Sequence, residues 1–542
     1  MCGIYTCLHH GNELKSYEYK EIDVRGPDDT KVIDEKEYKL VFHRLAIVGI
    51  NGGSQPFNMD NIQLMCNGEI YNYKELIDEY KLPDKTGSDC EVILHMYKMF
   101  GIERTLNEIR GEFAFILINK ETGILHFARD PIGIKPLFMN TVYDNNKIKY
   151  MELASLIKGF SLQKARCEHV LPGTLYTYDI SKHILNSQRY LELKYVPDEK
   201  VTKEVIYEKL EQAVVKRIKQ TERPFGFFLS GGIDSCTTLS IAMKSGLLVE
   251  RPHVFTFGFH ENAPDVVNAK IFVNWLKKKY GNNCIEWHLV IKTVEEGLSL
   301  LPEVIRVLET YDTTTIRAST PMYMLSRYIR DNTNVKVLLS GEGSDELFGG
   351  YLYNLYTPNE YAFRSEIINA LENLYVYDVL RADRSTSHCG LEVRPPFLDI
   401  DFINTVLKST DLLPSKTTTK KLLRDVIEMY NLLPNKILYG RKEAFSDAVG
   451  LNWLDSVKKH TTLLLSEGKN EKLDFSPHIK PKGNTEKYFQ TVFSVIFPDK
   501  WHLLQKIWLP NQDWVNTNGE SSARALSIYT NPENKNKLLT KM

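Results

Sequence analysis

The sequence has no CxxC pair, no HExxH and no clustered His and Cys, so the usual zinc spacings are missing and zinc is not expected. Its eight cysteines (2, 7, 66, 90, 167, 236, 284 and 389) are scattered. That pattern excludes a disulfide scaffold and fits a reduced, cytoplasmic protein. No apolar run reaches the roughly 20 residues that span a bilayer, and no basic-then-apolar leader opens the chain, so no membrane partner is expected. Charge of one sign is also lacking. With 68 Lys and Arg against 69 Asp and Glu, the net charge is −1, and no overall field draws nucleic acid over small molecules. Lys277-Lys278-Lys279 reads as a solvated helix face. No internal repeat is found.

What is present is 542 residues, 43% of them hydrophobic, enough for two or three domains with their own cores. The first ~190 residues suggest antiparallel layers. Leu45–Val48, Gln63–Cys66, Phe113–Ile118 and Ile124–Ala128 are short apolar or β-branched runs bounded by Gly or Asn. Ser88-Asp89-Cys90-Glu91 has capping-box spacing and precedes a helical stripe of Val92, Ile93, Met96 and Tyr97, which predicts Asp89 in the first turn of a helix. Tyr190–Val201 is polar and reads as a linker. After it the pattern changes: a helix over Thr202–Lys219, the apolar run Phe225–Leu229, a helix after Asp234, then strand-like runs at His253–Phe257, Cys284–Leu289 and Val335–Leu339. Strands alternating with helices imply a parallel sheet whose ligands collect beyond the strands' carboxyl ends.

Two glycine-rich acidic motifs lie at such ends. Ser230-Gly231-Gly232-Ile233-Asp234-Ser235 offers backbone amides, a helix N-terminus and two hydroxyls to a pyrophosphate, and it lacks the Gly-Lys-Ser/Thr ending of a Walker A loop. Ser340-Gly341-Glu342-Gly343-Ser344-Asp345-Glu346 carries carboxylates suited to Mg²⁺, with Asp234 and Asp345 the natural pair of ligands. At the other end of the chain, Cys2 would gain a free α-amine if Met1 were removed. Such an amine, with a pKa near roughly 7.7–8.0, can serve the thiol as its base. Asn67-Gly68, after a strand, could present an amide side chain and a backbone N–H to one oxyanion. Arg44 offers a guanidinium to a carboxylate, and Asp89 a carboxylate to an ammonium.

Together these residues resemble the glutamine-hydrolysing asparagine synthetase family, and the likeness runs from Cys2 to near Tyr529. It is carried by Met1-Cys2-Gly3-Ile4, Arg25-Gly26-Pro27-Asp28, His43 to Val48, Cys66 to Asn72, Gly87 to Glu91, Arg129-Asp130-Pro131, and the two loops above. Glu309 to Asp312, Thr315 to Pro321, Lys442 to Asp447 and Ser522 to Leu526 continue it. The resemblance implies an N-terminal Ntn-hydrolase αββα sandwich over 2–190, the glutaminase. It further implies a C-terminal parallel-sheet α/β ATP pyrophosphatase domain with a PP-loop over 202–530, and a tail over 531–542.

Its implied chemistry is a Cys2 thioester with glutamine, held by the Asn67 side chain and the Gly68 amide, that yields glutamate and ammonia. Arg44, Ile47, Val48, Glu69 and Asp89 would line that pocket. In the second site aspartate and ATP, with Mg²⁺ on Asp234 and Asp345, would give β-aspartyl-AMP and diphosphate, and ammonia would then displace AMP to make asparagine. Ser230, Gly231, Gly232, Asp234 and Ser235 would hold the pyrophosphate, and Leu229, Phe257, Ser340 and Gly341 would frame the nucleotide. Glu342 is assigned base or positioning duty, Lys442 charge stabilisation, and Asp383 a place near the nucleotide or aspartate. An apolar tunnel for ammonia is part of the same expectation, and a homodimer is one option for assembly.

Three positions depart from the family: Gly49 where Asp is usual, Pro395 where Val is usual, and Phe257 where an aliphatic is usual. Gly49 is expected to loosen the loop beside the glutamine pocket, and Phe257 to narrow the adenine slot. β-Lactam synthetases share the architecture but lack the N-terminal cysteine. Glutamine phosphoribosyl and hexosamine amidotransferases share only the first domain. A degenerate, scaffolding relative would have lost charged site residues that are all present here.

Overall fold

The computed structural model describes residues 1–9, 21–145, 147–161, 165–440, 448–450, 453–467 and 478–517. Lys442, the 442–447 stretch, Ser522 to Leu526 and the 531–542 tail lie outside them.

Alternation of side chains builds the N-terminal half. In β6 (Gly111–Asn119) Phe113, Phe115 and Leu117 point to one face while Ala114, Ile116 and Ile118 point to the other, and both sets are buried. A strand buried on both faces has to lie inside a layered stack. One six-stranded sheet has the order β10-β8-β9-β1-β3-β2, with β1 Gly3–His9, β2 Asp29–Asp34, β3 Tyr38–Arg44, β8 Phe138–Asp144, β9 Lys147–Ala154 and β10 Arg166–His169. The other has the order β12-β11-β7-β6-β5-β4, with β4 Phe57–Met59, β5 Ile62–Ile70, β7 Ile124–Arg129, β11 Thr174–Asp179 and β12 Ile184–Arg189. Ile4, Leu8 and Phe42 of the first sheet share a core with Met65, Ile116 and Phe127 of the second. Helices α1 (Tyr73–Tyr80), α2 (Glu91–Phe100) and α3 (Ile102–Glu108) cover the second sheet's outer face through Leu76, Ile93, Met96 and Leu106. Tyr5, Val41 and Phe138, on the first sheet, belong to one buried cluster with Leu308, Ile316 and Leu380 of the C-terminal half. The αββα stack is therefore completed by the other half of the chain.

Two sequence expectations fail here. Leu45–Val48 is not a strand: β3 ends at Arg44 and the chain turns into a loop, where Leu45 and Ile47 are buried by lining a pocket and not by a ladder. The Ser88 capping box does not form either. Helix α2 opens at Glu91, two residues after Asp89, and the Glu91 carboxylate accepts from the Thr86 N–H and hydroxyl.

In the C-terminal half a five-stranded parallel sheet has the order β15-β14-β13-β16-β17, with β13 Phe225–Phe228, β14 His253–Gly258, β15 Glu286–Ile291, β16 Val337–Leu339 and β17 Glu392–Arg394. Helices α4 (Lys203–Lys219), α5 (Ile233–Lys244) and α6 (Pro264–Tyr280) pack on one face through Leu210, Leu239 and Phe272. On the other face α7 (Val294–Ser299), α8 (Leu301–Leu308) and α9 (Thr313–Asn332) follow in the chain, with Val304, Ile316 and Tyr323 in that face's core. From β13 the chain moves to β14 on one side and later returns to β16 on the other, so the carboxyl ends of β13 and β16 flank a topological switch point, where α/β sheets bind ligands.

The halves are joined by buried ion pairs. Arg217 of α4 meets Glu112 of β6 at 2.8 Å and Asp399 at 3.0 Å. Arg25 meets Asp383 at 2.7 Å, and Glu309 accepts from the amides of Ile157 and Lys158. Arg217→Met leaves Glu112 and Asp399 short of their buried partner. It is expected to cost about 3 kcal/mol or more, read as a lower urea midpoint by probes in both halves; an unchanged midpoint would show that the pair does not hold the halves together.

Candidate active sites

The first site forms where the two antiparallel sheets meet. Cys2 stands just before β1, and its peptide N–H donates to Asn67 Oδ1 on β5 at 2.8 Å. That bond fixes the amide so that Asn67 Nδ2, buried and without a partner among the described residues, is left to donate. A buried orphan donor beside a thiol is the arrangement an oxyanion requires. Gly68 is dictated by crowding: a Cβ there would lie 2.1 Å from the Glu112 carbonyl oxygen. Burial pushes the Cys2 thiol up to about 11, so it needs a base before it can attack.

Arg44, Ile47, Val48, Glu69 and Asp89 line one cavity with Cys2 and Gly68, and Glu392 of the parallel sheet joins them. Arg44 donates to the carbonyls of Gly49 at 2.6 Å and Ile50 at 3.0 Å, fixing the loop with two of its five N–H donors. Asp89 accepts from the Ile70 N–H at 2.6 Å, yet burial still raises it to about 6. Glu69 pairs with Arg394 of β17 at 3.1 Å.

Gly49 does not loosen this loop. Its φ is +61°, a Cβ would sit 2.7 Å from the Ser88 nitrogen, and its N–H donates to Glu222 at 2.8 Å. The position is a tight, left-handed contact that favours glycine.

The second site lies beyond β13 and β16. Gly231, at φ +77°, lets the loop pass against α6, where a Cβ would come within 2.4 Å of the Ala269 nitrogen. Ser230 and Ser235 hydroxyls stand 3.1 Å apart, and the loop feeds into α5, whose N-terminus favours anions. Gly341 brings the second loop against the first, since a Cβ there would be 2.7 Å from Asp234 Cβ. Asp234 and Asp345 converge on a residue the sequence reading missed: Lys420 Nζ is 2.6 Å from one and 2.8 Å from the other.

Glu342 pairs with Arg381 at 2.6 Å, and Arg381 also meets Asp378 at 2.7 Å. Asp383 is engaged on the side of its helix opposite to Arg381. Two residues along helix Asp378–Ser387 turn the side chain by about 200°, so Arg381 faces the loops while both Asp383 oxygens are held by Arg25. Phe257 turns its ring into the core, edge-on to Phe259 at 5.2 Å and 3% exposed. Several motif residues serve the fold: Asp130 accepts from the amides of Ile132, Gly133, Ile134 and Lys135, and Asp312 caps α9.

Two family profiles cover this geometry: "Glutamine amidotransferase domain" matches residues 1–217, and "Asparagine synthase" matches 205–361 and 356–482. The chain is 34% identical over 549 residues to a "Probable asparagine synthetase [glutamine-hydrolyzing]" of Acanthamoeba polyphaga mimivirus, covering 94% of this chain and 97% of that protein. The chain belongs to the glutamine-hydrolysing asparagine synthetase family. "Asparagine synthetase [glutamine-hydrolyzing] 1" of Arabidopsis thaliana is 35% identical over 92% of this chain and 87% of that one. A "Probable asparagine synthetase [glutamine-hydrolyzing]" of Schizosaccharomyces pombe is 33% identical over 95% and 97%.

Gly49→Asp is expected to lose about 1 kcal/mol or more of loop stability and to raise the glutamine KM severalfold, while ammonia-dependent turnover holds; an unchanged KM would show that the tight turn is immaterial. Because Asp89 is charged only above about pH 6, glutaminase kcat/KM should fall as pH drops through 6. Asp89→Asn should show a low kcat/KM without that inflection; retention of the inflection would assign it to another group.

Proposed function

We propose that the chain makes L-asparagine: ATP, L-aspartate, L-glutamine and water give AMP, diphosphate, L-asparagine and L-glutamate. The glutaminase is placed over 2–190 and the synthetase over 202–530. The observation that carries the reading is the orphan donor Asn67 Nδ2 beside Cys2, in a chain that also carries the paired Ser230–Ser235 and Ser340–Asp345 loops.

In the first site, loss of Met1 frees the α-amine of Cys2, which takes the thiol proton. The sulfur attacks the glutamine carboxamide, and Asn67 Nδ2 and the Gly68 N–H stabilise the oxyanion. Collapse expels ammonia, and water cleaves the thioester to glutamate. Arg44 binds the substrate carboxylate, while Asp89 and Glu69 face its α-ammonium.

In the second site the β-carboxylate of aspartate attacks the α-phosphorus, and diphosphate departs into the Ser230–Ser235 loop and the start of α5. Leu229, Ser340 and Gly341 frame the nucleotide, Glu342 with Arg381 positions the acyl group, and Lys442 offsets charge at the α-phosphate. Asp234 and Asp345 fit Mg²⁺, since two carboxylates already face one cationic atom, Lys420 Nζ. The ion supplies charge neutralisation to the polyphosphate.

Met1, Met322, Ala382 and Val393 form one apolar cluster, with Phe228 packed against it. It begins beside Cys2, and removal of the Met1 side chain would vacate room there for neutral ammonia. A cytoplasmic setting is supported by eight cysteines without disulfides, and no described helix is long and apolar enough to cross a membrane.

Cys2→Ala should abolish glutamine-dependent asparagine formation and keep synthesis from ammonium chloride, with AMP released in step. Glutamine-dependent synthesis at the wild-type rate would reject the assignment.

A further inference from the structure

His253 and His288 are 35 residues apart, too far for any spacing pattern to link them, yet parallel pairing brings them together. His253 opens β14 and sits in register with Glu286, which opens β15, and His288 lies two residues on, on the same face. His253 Nδ1 is 3.0 Å from His288 Nε2, and Glu286 Oε1 is 3.6 Å and 3.3 Å from those same two atoms. A triangle with these sides has a circumradius of about 1.9 Å, just inside the roughly 2.0–2.2 Å of zinc–nitrogen and zinc–carboxylate bonds. A single cation slightly out of the plane can therefore touch all three.

We propose that His253, Glu286 and His288 bind one divalent transition cation of the Zn²⁺ class, with water completing its shell. Two imidazoles and one carboxylate are the donors such ions take, and neither Mg²⁺ nor Ca²⁺ favours imidazole. The rings are held in place: His288 stacks on Phe255 at 4.7 Å and meets the Tyr328 edge at 6.2 Å, so little side-chain freedom is lost on binding. The three side chains are 22%, 44% and 15% exposed, which leaves an entry path. The site is at the amino ends of the strands, about 17 Å of strand from the nucleotide end. The ion would pin β15, the sheet's edge strand, to β14.

The test titrates Zn²⁺ into the full-length chain calorimetrically, with excess Mg²⁺ to occupy the acidic loops, and repeats it with Co²⁺ by visible absorption. The wild-type chain should take one equivalent at this site. His253→Asn/His288→Asn should bind it at least tenfold more weakly, with glutamine-dependent synthesis unchanged. Glu286→Gln should weaken binding too, and serves if the double variant misfolds. The proposal is overturned if wild-type takes up no Zn²⁺, if the variants bind it equally, or if the Co²⁺ spectrum is that of a thiolate site.

Discussion

Arg394 is the residue on which the two halves depend. Its guanidinium reaches Glu69 in the Cys2 pocket, Glu392 beside it, and the carbonyls of Arg217 and Gln220. Its own carbonyl accepts the N–H of Ser340 at the head of the second loop. One buried residue thus touches glutaminase side chains and synthetase backbone. The desolvation of Glu69, Glu112 and Glu392 is tolerable only because Arg394, Lys135 and Arg217 lie among them. Separation of the halves would part Glu69 from Arg394 and Glu112 from Arg217, so the interface is set by charge complementarity as well as by apolar burial.

The sequence was most legible where backbone geometry dictates composition. The two loops could be read because close backbone approach demands glycine at 231 and 341, and because strand-to-helix turns at a parallel sheet have a recognisable apolar run before them. Asn67 was legible as a type but not in its reason: the bond from the Cys2 amide that fixes its orientation spans 65 residues. Leu45–Val48 misled because burial in a pocket wall gives the same apolar run as a strand. Asp383 is held by Arg25, 358 residues away in sequence, and the motif Arg381 to Arg384 does not say which of its members turns toward the Ser340–Asp345 loop. Lys420 lies in a run of threonines and lysines with no local signal, and only the fold brings it to Asp234. Arg394 and Glu392 gave no sign of reaching the first pocket.

The same logic separates the expected chemistry from the unexpected. The absence of a zinc motif excludes ligands spaced along one helix or loop. It says nothing about ligands on neighbouring parallel strands, whose separation in sequence is set by the length of a crossover helix. His253 and His288 are joined by β14, α6 and β15, and the register of that unit, not any local spacing, makes them neighbours.

Lys420 has a further consequence. Its ammonium lies between Asp234 and Asp345 as an internal counter-ion. The mouth of the second site is therefore not a bare acidic patch. The Lys420 side chain is 1% exposed against 15% and 16% for Asp234 and Asp345, so the ammonium lies beneath its partners and offsets half of their combined charge. Loss of that lysine would leave two carboxylates crowded beyond the ends of two neighbouring strands with no ammonium between them.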